Sequence, residues 1–147
     1  MAPRYWDDLI EGEQINCRTI ELTLPEIIEF AEKYDPQSFH IDEQAAADSR
    51  FGGIIASSLQ TLSLCTRVIV DAQGEMAILS GLHIEQVHLP NPVRPDDLLT
   101  LEVYWADLRR SRSKPDRGMA TARFKAVNQK GETVIESGFR YMIACRS

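Results

Sequence analysis

The sequence predicts an α+β fold in which a curved antiparallel sheet packs around one long central helix. Three observations carry that prediction. Helix signals with clear stops fill the stretch after residue 22. The most apolar long segment opens at Ile54 and keeps helical spacing. After Gly74 come four long segments with strand character, joined by short turn-forming links, the pattern of consecutive antiparallel strands. A helix flanked by such strands must bury its apolar surface against them.

The elements follow in order. Gln14 to Leu22 alternates Ile15, Cys17 and Thr19 with polar neighbours and reads as a strand. Thr23 sits three residues before Glu26, with Pro25 in the first turn, a capping-box start. Ile27, Phe30, Ala31 and Tyr34 then repeat at helical spacing, and Pro36 disfavours helical geometry at Asp35, so the helix ends there. Glu43 to Ser49 reads as a second short helix. Phe51-Gly52-Gly53 is a break before the central helix. There Ile55, Leu59, Leu62, Thr66, Ile69 and Val70 line one side, with Ile54, Ala56, Leu64 and Val68 opposite. A helix apolar on several sides is expected to be buried on several sides. Met76 to Leu89, Leu98 to Leu108, Gly118 to Val127 and Glu132 to Ala144 are the predicted strands.

The 147 residues suit a single domain spanning 1–147, large enough for a core without disulfides. Hydrophobic content of 44% and charged content of 26% are those of a globular protein. No apolar run approaches the roughly 20 residues needed to span a bilayer, and Met1 to Asp8 lacks the pattern of a signal peptide. A cytoplasmic location and no membrane association are expected. Residues 1–48 carry a net −9 and residues 49–147 a net +3, an overall −6 that argues against non-specific nucleic-acid binding. The mildly basic remainder could serve a small phosphorylated ligand. Cys17, Cys65 and Cys145 are far apart and odd in number, so inert thiols are expected, with neither disulfide framework nor metal site.

Chemistry concentrates in Tyr34 to Asp42. Asp35 and His40 stand five residues apart beside a helix-ending proline, and a carboxylate and an imidazole brought together can pass a proton near neutral pH. Asp35 at a helix C-terminus opposes the macrodipole, which should raise its basicity, as burial would. The same spacing also fits an ordinary turn in which Asp35 caps the next peptide groups. Gly52 and Gly53 permit close approach of a ligand to the backbone. The helix-start amides around Ala56, Ser57 and Ser58 could hold an oxyanion; equally, Gly-Gly before a helix can be a plain loop. No nucleophile elbow surrounds Ser57, Ser58 or Ser63, and Ser63, within the helix, is expected to bond a helix carbonyl. His83 and His88 lie on one strand at odd spacing, hence on opposite faces. Arg109, Arg110, Arg112, Lys114 and Arg117 flank a turn, either a solvated hairpin tip or a landing site for phosphates.

Taken together, Phe30 to Asp42 (FAEKYDPQSFHID), Phe51 to Ser63 (FGGIIASSLQTLS), Pro92 to Pro95 (PVRP) and Ser111 to Gly118 (SRSKPDRG) resemble the MaoC-like dehydratase family, which includes (R)-specific enoyl-CoA hydratases. The resemblance implies a hotdog fold with a central helix over 56–72 and a homodimer whose sheets join. It places Asp35 and His40 on the family's hydratase dyad, with Asp35 as main base and His40 orienting a water that adds to a trans-2-enoyl thioester. It further implies no cofactor, a substrate such as an acyl thioester of coenzyme A, and substrate-binding roles for Phe51, Gly52, Gly53, Ser57, Ser58 and Ser63. A thioesterase and a non-catalytic acyl-thioester binder are the alternatives on the same fold. Departures from the family pattern are Ser57-Ser58 in place of His-Gly, Asp96 in place of glycine, and His88-Leu89 in place of Arg-Trp.

Overall fold

The structure, a computed structural model, describes residues 2–146. Thr23 caps α1 (Leu24–Tyr34) by a reciprocal capping box with Glu26, and Pro36 ends it with Asp35 as C-cap. A single helical turn, α2 (Ser38–Ile41), follows where the sequence suggests only a turn. The Asp42 carboxylate then caps α3 (Glu43–Asp48) through the amides of Gln44 and Ala45. The central helix, α4, runs Ser58–Gln73, starting two residues later than the resemblance implies because Ser57 is its N-cap.

The region expected as one strand over Gln14 to Leu22 is two short pieces, β1 (Gln14–Ile15) and β2 (Ile20–Glu21). Both pair antiparallel with β4 (Leu98–Arg110), but their registers on it differ by one residue. That slip interrupts the ladder between them, as a bulge does. The remaining strands are β3 (Ile78–Ile84), β5 (Arg117–Val127) and β6 (Thr133–Ala144), in the order β1-β4-β5-β6-β3 with β2 also on β4. β3 is shorter than the expected Met76 to Leu89. Past Ile84 regular pairing stops and only an isolated bridge, His88 to Glu136, continues it. Ser137 donates to the Glu85 carbonyl, and the Glu85 carboxylate accepts two hydrogen bonds from Arg123 at 3.0 and 2.8 Å.

Alternation on β4 and β5 sends Leu99, Leu101, Val103 and Trp105, then Ala120, Ala122, Phe124 and Ala126, into one core with Cys65, Val68 and Ile69 of α4. Burying each large apolar side chain contributes about 1.5–3 kcal/mol, so this shared face fixes α4 against the sheet. Gln60, also buried, donates to the Glu26 carbonyl at 3.1 Å and ties the start of α4 to α1. One expectation is corrected. α4 is not covered all round, since Leu59 and Val70 are 54% and 47% exposed and Ser63 and Arg67 face outwards beside them. β3 is exposed along its whole length, including Ile78, Leu79, Leu82 and Ile84. Among the described residues no helix is long and apolar enough to cross a membrane.

Candidate active site

The end of α1, the single turn of α2 and the start of α4 meet at one point. Asp35, the C-cap of α1, keeps its amide on the Ala31 carbonyl at 2.9 Å while Pro36 turns the chain into α2. His40 is 4% exposed, its ring edge-on to Phe39 at 4.5 Å. Its Nδ1 lies 2.7 Å from the Ile55 carbonyl. A carbonyl only accepts, so Nδ1 carries the proton and Nε2 is the free nitrogen. Nε2 stands 3.3 Å from Asp35 Oδ2. When Nε2 is bare, two lone pairs face each other there, and a water donating one O–H to each group satisfies both.

Two neutral donors hold the Asp35 carboxylate. Ser57 Oγ donates to Oδ2 at 2.7 Å and Gln37 Nε2 donates to Oδ1 at 2.7 Å. They hold Asp35 below the usual carboxylate range against the opposing effect of burial. This reverses the expectation of a more basic Asp35: the helix end exerts less influence than direct hydrogen bonds. Ser57, fully buried, has a second task, accepting from the Leu59 amide as N-cap of α4. Its hydroxyl thus joins the helix start to the acid.

The pair opens on a cleft of about 640 Å³. Phe39, Phe51, Ile55, Leu89, Pro90, Pro92, Val93 and Val134 give it an apolar lining, and Asp35, His40, Gln37, Ser58, Arg50 and Arg94 give it polar groups. Backbone bonds hold the walls: Ile55 N to the Phe39 carbonyl at 3.2 Å and Ala56 N to the Val93 carbonyl at 2.8 Å. Phe51 packs on Phe39 at 5.3 Å between ring centres. Ser58, the first residue of α4, lines the cleft wall, and the first amides of a helix have no partner within it.

Other expected site residues fall elsewhere. Gly52 is exposed with φ +69°, a left-handed turn position, and Gly53 accepts from Arg94 Nη1 at 3.4 Å; neither lines the cleft. Ser57 is enclosed behind the wall and acts through its side chain. Ser63 is exposed and donates to the Leu59 carbonyl at 2.8 Å, the helix-internal bond expected from its position, and does not line the cleft. His83 and His88 are both exposed. The basic cluster is a hairpin tip on which Arg110 pairs with Asp7 at 2.8 Å and Arg117 with Asp116 at 2.9 Å. Asp96, at the position where the resemblance calls for glycine, takes φ +67°, a left-handed conformation that Asp tolerates better than most residues. Sequence reasoning missed Gln37, Arg50 and Arg94. Each had a local signal: an amide two residues after the acid, a base beside Phe51-Gly52-Gly53, and the arginine inside PVRP.

One antiparallel sheet around a central helix, with an acid and an imidazole meeting where that helix begins, defines a hotdog-fold protein of the dehydratase class. The chain belongs to the MaoC-like family, whose domain model matches residues 9–128. It is 30% identical over 139 residues to the uncharacterized protein YdeM of Bacillus subtilis, covering 93% of this chain and 96% of that one. Among solved structures it is similar to a MaoC-like dehydratase from Rhodospirillum rubrum, with 31% identity, TM-score 0.87, and 98% and 99% of the two chains covered. An (R)-hydratase from A. caviae involved in PHA biosynthesis shares the fold at TM-score 0.74 and 23% identity, over 91% and 96% of the chains.

Proposed function

We propose that this chain is an (R)-specific enoyl-CoA hydratase, which in reverse is an acyl dehydratase. One observation carries the reading: Asp35 Oδ2 and His40 Nε2 converge at 3.3 Å on the wall of an apolar cleft. Two acceptors so placed orient a water and leave its oxygen directed at whatever the cleft holds. With the Asp35 carboxylate held low, Asp35 suits the orienting role, and His40 Nε2 takes the proton as the water oxygen attacks Cβ of a trans-2-enoyl thioester. This reverses the division of labour implied by the family resemblance. The double-bond electrons pass to the carbonyl oxygen, which the Ser58 amide stabilises as an enolate. The imidazolium then returns its proton to Cα on the same face, giving syn addition and restoring the neutral ring. No cofactor enters this chemistry. The (R) outcome follows the A. caviae (R)-hydratase, whose fold this chain shares.

The working unit in this reading is a homodimer. The exposed apolar residues of β3, with Leu59 and Val70 of α4, support it, because a bare edge strand with such side chains favours pairing with a second chain.

The test is hydration of short and medium trans-2-enoyl-CoAs, followed by loss of the conjugated double bond and chiral analysis of the product. Asp35→Asn and His40→Ala are each expected to lower kcat/KM by about 10²–10⁴-fold. No turnover at any chain length, or full activity in both variants, overturns the reading.

A further inference from the structure

The cleft holds two guanidinium groups for which water addition gives no use. Arg50 lies with its Cζ 5.8 Å from the Phe51 ring centre, and Arg94 reaches the Gly53 carbonyl at 3.4 Å, so both rest on the loop before α4. Both line the cleft, and among the described residues neither has a carboxylate partner. Of the acids near them in sequence, Asp48 and Asp97 are engaged otherwise, and Asp96 is exposed and forms no ion pair with either arginine among the described residues. Asp48 accepts from Gln44 at 3.2 Å, while the buried Asp97 accepts from the Arg94 amide and from Gln129. Asp35 is held by Ser57 and Gln37. In a chain of net charge −6, the part of the cleft against this loop is therefore cationic. A hydrocarbon chain and a neutral thioester offer nothing to such a pair, whereas an oxyanion offers charge-assisted, forked hydrogen bonds.

We infer that Arg50 and Arg94 form an anion-binding rim that holds an oxyanion belonging to the substrate itself, either a phosphate of its carrier arm or a carboxylate on its acyl chain. The inference rests on reading the cleft as an acyl-thioester site and adds to it which thioesters are held. It requires no turnover, so it is separable from the hydratase reading.

The test measures dissociation constants of unreactive saturated thioesters for the wild type, Arg50→Gln/Arg94→Gln and Arg94→Lys. The probes are butyryl-CoA, butyryl-pantetheine, which lacks phosphates, and glutaryl-pantetheine, which adds a carboxylate. Comparing probes on one protein cancels any change in folding. A phosphate on the rim makes butyryl-CoA bind roughly tenfold or more tighter than butyryl-pantetheine in the wild type. The double variant loses that advantage, and Arg94→Lys keeps only part of it. A carboxylate gives the corresponding advantage to glutaryl- over butyryl-pantetheine. Absence of both advantages in the wild type, or their survival in the double variant, overturns the inference. Binding that follows it while no enoyl-CoA is hydrated leaves the rim standing and removes the hydratase reading.

Discussion

Removing the Ser57 hydroxyl is expected to make Asp35 harder to ionise. That hydroxyl donates to Asp35 Oδ2 at 2.7 Å and is the foremost cause of the carboxylate's low position. A hydrogen bond to a charged acceptor contributes about 1.5–3 kcal/mol. Asp35 keeps 18% side-chain exposure, so the lower end applies, and about 1.5 kcal/mol corresponds to a roughly tenfold rise in proton affinity. Ser57 also caps α4, and the two roles need separating. Glycine at an N-cap costs only a few tenths of a kcal/mol, whereas alanine costs about 1 kcal/mol. Ser57→Gly therefore isolates the bond to Asp35, and Ser57→Ala adds the capping loss. The assay is a carboxyl ¹³C NMR titration of Asp35, which moves to higher pH in Ser57→Gly. The stability sign follows. A carboxylate depressed on folding stabilises above its ordinary value of 3.8, and that stabilisation is lost as pH falls through the folded value. The stability gap between wild type and Ser57→Gly is thus widest at neutral pH and narrows on acidification. An unmoved Asp35 titration in folded Ser57→Gly refutes the reasoning and leaves Ser57 as a helix cap only.

Gly118→Ala is expected to destabilise the fold by about 2–3 kcal/mol by chemical denaturation, as overpacking does. Its Cβ would stand 2.5 Å from the Trp6 indole, and displacing Trp6 breaks the bond to the Met119 carbonyl at 2.9 Å. Wild-type stability in this variant would mean that Trp6 lifts freely from the sheet. Burial pushes the Cys65 thiol up to about 12, so at pH 8 it should resist iodoacetamide until the chain unfolds, as mass spectrometry would show. Labelling of Cys65 at the rate of a free thiol would contradict this. In the proposed homodimer, Leu82→Glu on the exposed β3 is expected to shift sedimentation from dimer to monomer; a wild-type monomer, or a dimer unchanged by the variant, would contradict pairing through β3.

What the sequence disclosed and what it withheld divide by the range of the contacts involved. The start and stop of α1 were legible because Thr23, Glu26 and Pro36 act within one turn of the backbone they control. The break between β1 and β2 was not, because it is a register difference on β4, far along the chain. Nor was the early end of β3, whose pairing with β6 shifts register along its length. In the site, the Asp35–His40 pair was legible as a spacing. Its supports were less so, since the Ser57 hydroxyl reaches an acid 22 residues upstream while serving as a helix cap.

The direction of the Asp35 shift shows why magnitude must decide between local rules. A charge at the wrong end of a helix costs about 0.3–1 kcal/mol at an accessible site. Each hydrogen bond to an ionised group contributes about 1.5–3 kcal/mol, and Asp35 receives two at 2.7 Å from side chains flanking it on different elements. The donors therefore outweigh the dipole, and the carboxylate becomes a fixed acceptor of weakened basicity. Imidazoles are intrinsically more basic than carboxylates by about 2.5 units. In the proposed hydratase, the contacts that anchor Asp35 thus leave the proton transfer to His40, whose Nδ1 is committed to Ile55 and whose Nε2 is the nitrogen left to act.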